Sequence, residues 1–341
     1  MSRPITRRAA LLATAIAALA AGGRSIAATP VRLTFDRPFD GTMAPFFIAA
    51  ARGLFRAEGV MPTLDSAAGS PDAIARVAAG TSEMAVADIN ALLRFRDDDA
   101  APAVKAVFVV FDRAPYALIA RRSRGIHILA DVEGKTVGVA DSDLSYRFWP
   151  GLARLNRIDT ARVRIEKISA AVREPILSAG QVDAITGFSY LSALNLRDRG
   201  IPATDLAVLR FADYGCEAYG QAVIVNPAFA REQPDAVRGV LRALVAGIRI
   251  ALANPAQAID DTMSQINAAS RDLELERLRL VLHDNIVTDD VRAHGLGGLD
   301  ATRFNSARDT LAAGFKFRKT LTVADIFDDT LLPPRDARQI I

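Results

Sequence analysis

One cysteine, one tryptophan and three histidines in 341 residues leave little room for several kinds of chemistry. With Cys216 alone, no intramolecular disulfide and no cysteine-based metal site can form. His127, His283 and His294 fall in segments that do not feed the turns described below, and no histidine neighbours Cys216 in sequence. A phosphate loop and a Gly-x-Ser-x-Gly nucleophile elbow are both missing. Asp97-Asp98-Asp99 lacks the Gly and Glu of a calcium loop and reads as a solvated charge run. Asp260-Asp261, Asp289-Asp290 and Asp328-Asp329 read as surface pairs or helix starts. No run past the N-terminus is apolar for the roughly 18 to 20 residues that span a bilayer, and no short-period repeat or low-complexity tract stands out.

Residues 1–28 read as an export signal. Ser2 to Arg8 is basic, Ala9 to Ala21 is apolar and Ala-rich, and Ser25-Ile26-Ala27 or Ala27-Ala28-Thr29 offers small residues for cleavage. The paired Arg7-Arg8 with Leu11-Leu12 gives it a twin-arginine character. Four of the 42 Lys and Arg residues, Arg3, Arg7, Arg8 and Arg24, lie in this segment, which holds no acid. The remainder therefore carries 38 basic against 39 acidic residues, a net charge of about −1 instead of +3. A near-neutral chain without a Lys/Arg block or a basic, aromatic-laced stripe has no electrostatic motive for binding nucleic acid. Roughly 310 mature residues exceed what one core usually serves and predict two lobes.

The most informative stretch runs from Asp40 to Asp88. Val31–Phe35 alternates as a strand, Phe46–Leu54 has helical spacing, Val60–Leu64 is a second strand, and Ser70-Pro71-Asp72 supplies an N-cap and a first-turn proline. Met84–Ala87 and Val104–Val110 follow as strands. The same grammar recurs in Gly134–Val139, Tyr146–Leu155, Val163–Ile168, Arg173–Ala179 and Val182–Gly187. Strands alternating with helices predict an α/β fold in which each lobe is a mostly parallel sheet with flanking helices. Tyr116–Arg121 and Gln221–Val225 are predicted to be the two crossovers at the hinge. That divides the chain into a signal (1–28), the first part of lobe 1 (29–118), lobe 2 (119–222) and a helical return to lobe 1 (223–341). The return contains the amphipathic Pro234–Asn254 and Asp272–His283, and a last helix within Leu321–Leu332.

Both halves present polar turns and helix starts at the carboxyl edge of a sheet, which is where open α/β sheets bind small molecules. The predicted cleft takes Asp40, Thr42, Met43 and Phe46 from the first turn, Ser70 and Asp88 from the next two, and Asp112 with Arg113 from the loop after the fourth strand. The second lobe contributes Asp141, Ser142, Ser145, Tyr146, Arg147, Thr186, Gly187 and Phe188, and Asp213, Tyr214 and Tyr219 lie near the return crossover. The surplus of aspartates over Arg113 and Arg147 favours an aromatic or heteroaromatic, amine-bearing ligand, because buried carboxylates need partners. The competing reading gives Arg147 and the helix starts a sulfonate, nitrate or carboxylate to hold.

The succession Ala44-Pro45-Phe46-Phe47-Ile48-Ala49, Gly53-Leu54-Phe55, Glu58-Gly59-Val60, Ala78-Ala79-Gly80, Met84-Ala85-Val86-Ala87-Asp88, Gly134-Lys135-Thr136-Val137-Gly138-Val139, Gly180-Gln181-Val182-Asp183-Ala184 and Pro234-Asp235-Ala236-Val237 resembles the periplasmic solute-binding proteins of ABC importers in the nitrate, sulfonate, taurine and thiamine-pyrimidine-precursor group. The resemblance covers residues 31 to about 260. It implies a type II-like, hinge-closing, monomeric receptor without cofactor or metal that hands a small molecule to an ABC permease. A sensor subunit presenting the same closed form is one alternative. An enzyme like the pyrimidine synthases of the same fold, which the chain also resembles, ranks lowest, since those look rich in Cys and His at their active site and this chain is not.

Overall fold

The computed structural model describes residues 28–266 and 270–340; the segment 1–28 expected to be an export signal lies outside them except for residue 28. Two five-stranded sheets organise the chain. The first contains β1 (Thr29–Phe35), β2 (Val60–Ser66), β3 (Met84–Asp88), β4 (Lys105–Val109) and β10 (Gln221–Val225), in the order β2-β1-β3-β10-β4. The second contains β5 (Tyr116–Arg121), β6 (Thr136–Val139), β7 (Arg164–Lys167), β8 (Ala184–Phe188) and β9 (Leu206–Arg210), in the order β7-β6-β8-β5-β9. Four strands of each sheet run one way. The fifth, β10 or β5, pairs antiparallel with both its neighbours.

Burial along the strands follows their place in the sheet. Every residue of β3 and β10 is buried, as expected of inner strands covered by helices on both faces. The edge strand β7 is exposed or half-buried throughout. Tyr116–Arg121 and Gln221–Val225, expected as the extended crossover segments, are inner strands paired on both sides. The chain instead changes lobes just before each of them, along Val110–Pro115 and Phe211–Gly220. These two segments run beside each other and are joined by Val110 N and Phe111 N to Gln221 O, Ala114 N to Ala218 O, and Gly220 N to Phe111 O. Strand β9 was not anticipated, although Gly200 and Pro202 before it and Gly215 after it are turn signals; its run of five residues is too short for alternation to stand out.

Helix starts carry the expected chemistry with small shifts. Gly69, not Ser70, caps the helix Ser70–Ala78, with Pro71 in its first turn. Asp143 caps Leu144–Leu155 and Asp88 caps Ile89–Arg96, each accepting from the backbone two residues on. The helix expected over Phe46–Leu54 spans Ala44–Ala51, and a separate turn follows at Leu54–Ala57. In place of the single last helix expected within Leu321–Leu332, a short α-helix Val323–Ile326 and a 3-10 turn Asp329–Leu331 form, and Phe327 between them bridges to Ala106 of β4.

The helices after β10 brace both lobes, not only the first. Pro234–Ala253 lies on Ala44–Ala51, where Gly247 admits the Pro45 carbonyl. Ala301–Ala312 instead packs along Leu144–Leu155 of the second lobe. Gly151 there leaves no room for a Cβ beside the Thr310 carbonyl, nor does Gly314 beside that of Arg147. One core accordingly runs through both lobes, including Leu92, Tyr116, Phe148, Leu152, Phe304 and Leu311.

Candidate functional site

The carboxyl ends of the parallel strands in the two sheets face each other across a cleft of about 590 Å³. Asp36, Arg37 and Pro38 follow β1; Ala67, Ala68, Gly69, Ser70 and Pro71 follow β2; Asp88 ends β3, and Ala91 and Arg94 come from the helix it caps. The second lobe supplies Asp141, Ser142, Asp143 and Leu144 after β6, Ala170 and Arg173 after β7, and Phe188 and Leu191 at the end of β8. Phe188 is the aromatic surface, beside the apolar Pro38, Leu144 and Leu191, and charged and hydroxyl side chains from both lobes stand among them.

Most of those polar groups are held rigid by one another. Asp36 accepts from Arg37 Nη1 at 2.9 Å, Ser70 Oγ at 2.6 Å and Gln221 Nε2 at 2.8 Å. Ser70 Oγ in turn accepts from Asp88 N at 3.1 Å, which ties the ends of β1, β2 and β3 together. Across the cleft, Asp143 accepts from Ser145 N at 2.9 Å, Thr186 Oγ1 at 3.0 Å and Arg173 Nη1 at 3.1 Å.

Asp88 joins the cleft to the hinge. Its carboxylate accepts from Asn90 N at 2.8 Å, from Asn90 Nδ2 at 2.9 Å and from the hydroxyl of Tyr116, on β5 of the other lobe, at 2.5 Å. Asn90 Nδ2 also reaches the Tyr219 carbonyl at 2.7 Å. Burial pushes the Asp88 carboxyl up to about 6, against the pull of the Tyr116 and Asn90 hydrogen bonds.

Of the residues expected in the cleft, Ser70, Asp88, Asp141, Ser142 and Phe188 line it. The others serve its frame. Asp40 caps the turn Gly41–Met43, accepting from Thr42 N at 2.9 Å and from Thr42 Oγ1 at 2.5 Å, and lies 3.5 Å from Arg37. Met43 and Phe46 are buried in the core of the first lobe. Asp112 pairs with Arg303 at 3.0 Å and accepts from Thr288 Oγ1 at 2.5 Å, while the Arg113 backbone is clasped by Asn285. Ser145 donates to the Gly187 carbonyl at 3.0 Å, and Gly187 itself has no room for a Cβ beside Ser192. Thr186 is bound to Asp143, and Tyr146 packs against the shared core with Arg147 near its ring. Arg147 Nη2 donates to the Asp141 carbonyl at 2.9 Å. Tyr214 is half-buried and its carbonyl accepts from Asn156. Tyr219 is buried under the Arg303 guanidinium, 4.1 Å from its ring centroid, and Asp213 pairs with Arg210 at 2.9 Å.

The aspartates therefore do not face the cleft as a surplus of unmatched charge: each of Asp36, Asp40, Asp88, Asp112, Asp141, Asp143 and Asp213 has a partner in the protein. The residues missed in the sequence were Asp36, Arg37, Arg94, Asp143 and Arg173. The first two stand directly after the last residue of β1, so ending that strand at Phe35 and reading on would have found them. Arg94 lies in the body of a helix, where nothing local marks it.

Neither the cysteine nor any of the three histidines is part of the lining. Cys216 is buried, and burial pushes its thiol up to about 12. His283 and His294 are exposed beside Asp284 and Asp290, and His127 is exposed. Among the described residues no group of three His, Cys, Asp or Glu is placed to hold a metal.

This geometry meets a sequence profile of the NMT1/THI5-like family, which matches residues 41–258. The chain belongs to the NMT1/THI5-like family. A riboflavin-binding protein, RibY, from Chloroflexus aurantiacus is 27% identical over 300 residues, 85% of this chain and 82% of the relative. A 4-amino-5-hydroxymethyl-2-methylpyrimidine phosphate synthase from Legionella pneumophila is 26% identical over 157 residues, 46% of this chain and 49% of the relative. Among solved structures, the periplasmic aliphatic sulphonate binding protein SsuA from Escherichia coli superposes with a TM-score of 0.68 at 13% identity, over 87% of this chain and 91% of that one. The two-lobed periplasmic-binding-protein fold expected from the sequence is thus the fold of this family member, and no described helix is long and apolar enough to cross a membrane.

Proposed function

We propose that this NMT1/THI5-like protein is the extracytoplasmic solute-binding component of an ABC importer, closing its lobes about a planar heteroaromatic solute and presenting the closed form to a permease. The observation that carries the reading is the interlobe cleft: about 590 Å³, within the range of small-molecule sites, with Phe188, Leu144, Leu191 and Pro38 as apolar walls and pre-ordered polar groups at its ends. The relative named as riboflavin-binding, which spans most of the chain, supports a flat heteroaromatic ligand. The basic, Ala-rich segment 1–28 supports export through a twin-arginine-type signal and action in the periplasm. Binding without turnover fits a cleft that presents neither Cys nor His to its contents.

A thermal-shift panel of flavins, aminopyrimidines, aromatic acids, alkyl and aryl sulfonates, nitrate and bicarbonate tests the ligand class. A binder at 100 times its dissociation constant adds about 2.7 kcal/mol, worth several degrees. A flavin or aminopyrimidine should stand clear of the rest; stabilisation by nitrate or alkyl sulfonates alone would refute the heteroaromatic assignment. Recovery of a chemically altered compound by mass spectrometry would refute binding without turnover.

A further inference from the structure

Three arginines line the cleft, and they differ in one respect. Arg37 is matched by Asp36 at 2.9 Å and Asp40 at 3.5 Å, and Arg173 by Asp143 at 3.1 Å and Glu174 at 3.9 Å. The Nε of all three is buried without a hydrogen bond, but Arg94 alone of the three has no carboxylate partner among the described residues. Its guanidinium lies on the Phe315 ring, 4.7 Å from the centroid, and so is held in one orientation.

A second cation lies close to it from the other lobe. Phe315 follows Gly314, whose backbone abuts the Arg147 carbonyl, so the segment that supports Arg94 also touches Arg147. Arg147 holds the Asp141 carbonyl at the cleft rim, with the Asp141 carboxylate 4.0 Å from its Nη2 and its own Nε buried without a hydrogen bond. Burial and the Arg147 charge together hold the Arg94 guanidinium below its usual value, so the two charges repel across the lobes. A half-buried cation left in this state is destabilising unless something negative joins it.

We infer that Arg94, backed by Arg147 of the opposite lobe, is the anchor for an anionic substituent on the ligand: a carboxylate, sulfonate or phosphate ester. The inference rests on the proposal that the cleft is the solute site. The guanidinium fork suits the two oxygens such groups present, and an anion seated there relieves the repulsion between lobes, which favours closure. Arg94 thereby separates anionic from neutral forms of the same ring system.

Calorimetric titration of the protein with matched pairs tests this: riboflavin and riboflavin 5′-phosphate, benzamide and benzoate, with butanesulfonate as a non-aromatic anion. The anionic member should bind at least tenfold more tightly in low salt, with the preference shrinking as salt rises. Arg94→Gln should weaken the anionic member at least tenfold more than its neutral counterpart, so that the preference disappears, and Arg94→Lys should restore part of it. Equal binding within each pair, or a preference that survives Arg94→Gln, would overturn the inference and leave the heteroaromatic reading standing. Binding of butanesulfonate alone, lost in Arg94→Gln, would support the anchor and overturn that reading. Failure of every probe would overturn both.

Discussion

Asp88 and Asp112 show how two buried carboxylates of one chain come to different uses. Asp88 is buried at the floor of the cleft, accepts only neutral donors and is raised to about 6, whereas Asp112 is neutralised by Arg303 at the hinge. A carboxyl whose folded value lies above its unfolded value of 3.8 binds protons more readily in the folded state. Its stabilising contribution is therefore complete below the unfolded value and disappears as pH rises through about 6. Wild-type protein should gain about 1 kcal/mol relative to Asp88→Asn between pH 7 and pH 5, read from urea unfolding at the two values. Parallel pH profiles for the two proteins would contradict the assignment. At Asp112 the expectation is larger: Arg303→Met leaves a buried carboxylate unpaired and should cost about 3 to 5 kcal/mol of unfolding free energy. A loss below 1 kcal/mol would show that water reaches Asp112.

At the scale of elements, the close packing of Ala301–Ala312 against Leu144–Leu155 depends on glycine, since a Cβ at position 151 would run into backbone of the opposing helix, which cannot swing aside. Gly151→Ala should destabilise the protein by about 1 to 3 kcal/mol by forcing these helices apart. An unchanged denaturation midpoint would mean that the contact is looser than it looks. Such a contact could not be read from the sequence, because nothing in Gly151 or Gly314 says which distant residue will arrive there. The elements themselves were legible where periodicity is strong: β1, β2, β3 and Leu144–Leu155 fall within a few residues of expectation. Local pattern failed where partners decide the outcome. Tyr116–Arg121 and Gln221–Val225 look like connecting segments until sheet neighbours are known. The cleft was legible to the same degree. Turns with polar residues and capping aspartates marked Ser70, Asp88, Asp141 and Ser142, but the same signature picked Asp40, Asp112 and Thr186, which serve the frame. Arg94 and Arg173 sit on helices whose sequence gives no hint of which face meets the cleft.

At the scale of the whole molecule, two lobes with the same strand order meet at a hinge of two hydrogen-bonded chain segments, and the C-terminal helices touch both lobes. On the proposed reading, closure about a solute shifts a population between open and closed forms by the contacts made only when closed. Solution scattering should record a smaller radius of gyration when the ligand saturates the protein, and no change would contradict closure. Whether the space between the sheets is the solute site at all is decided by filling it. Ala68 lines the cleft from the first lobe and is exposed, so Ala68→Trp can occupy the space without disturbing the core. The compound giving the largest shift in the thermal panel should be titrated by calorimetry into wild type and Ala68→Trp. The cleft account predicts at least a hundredfold weaker binding to Ala68→Trp with an unchanged ligand-free melting temperature; equal affinity for the two proteins would place the solute elsewhere and contradict it.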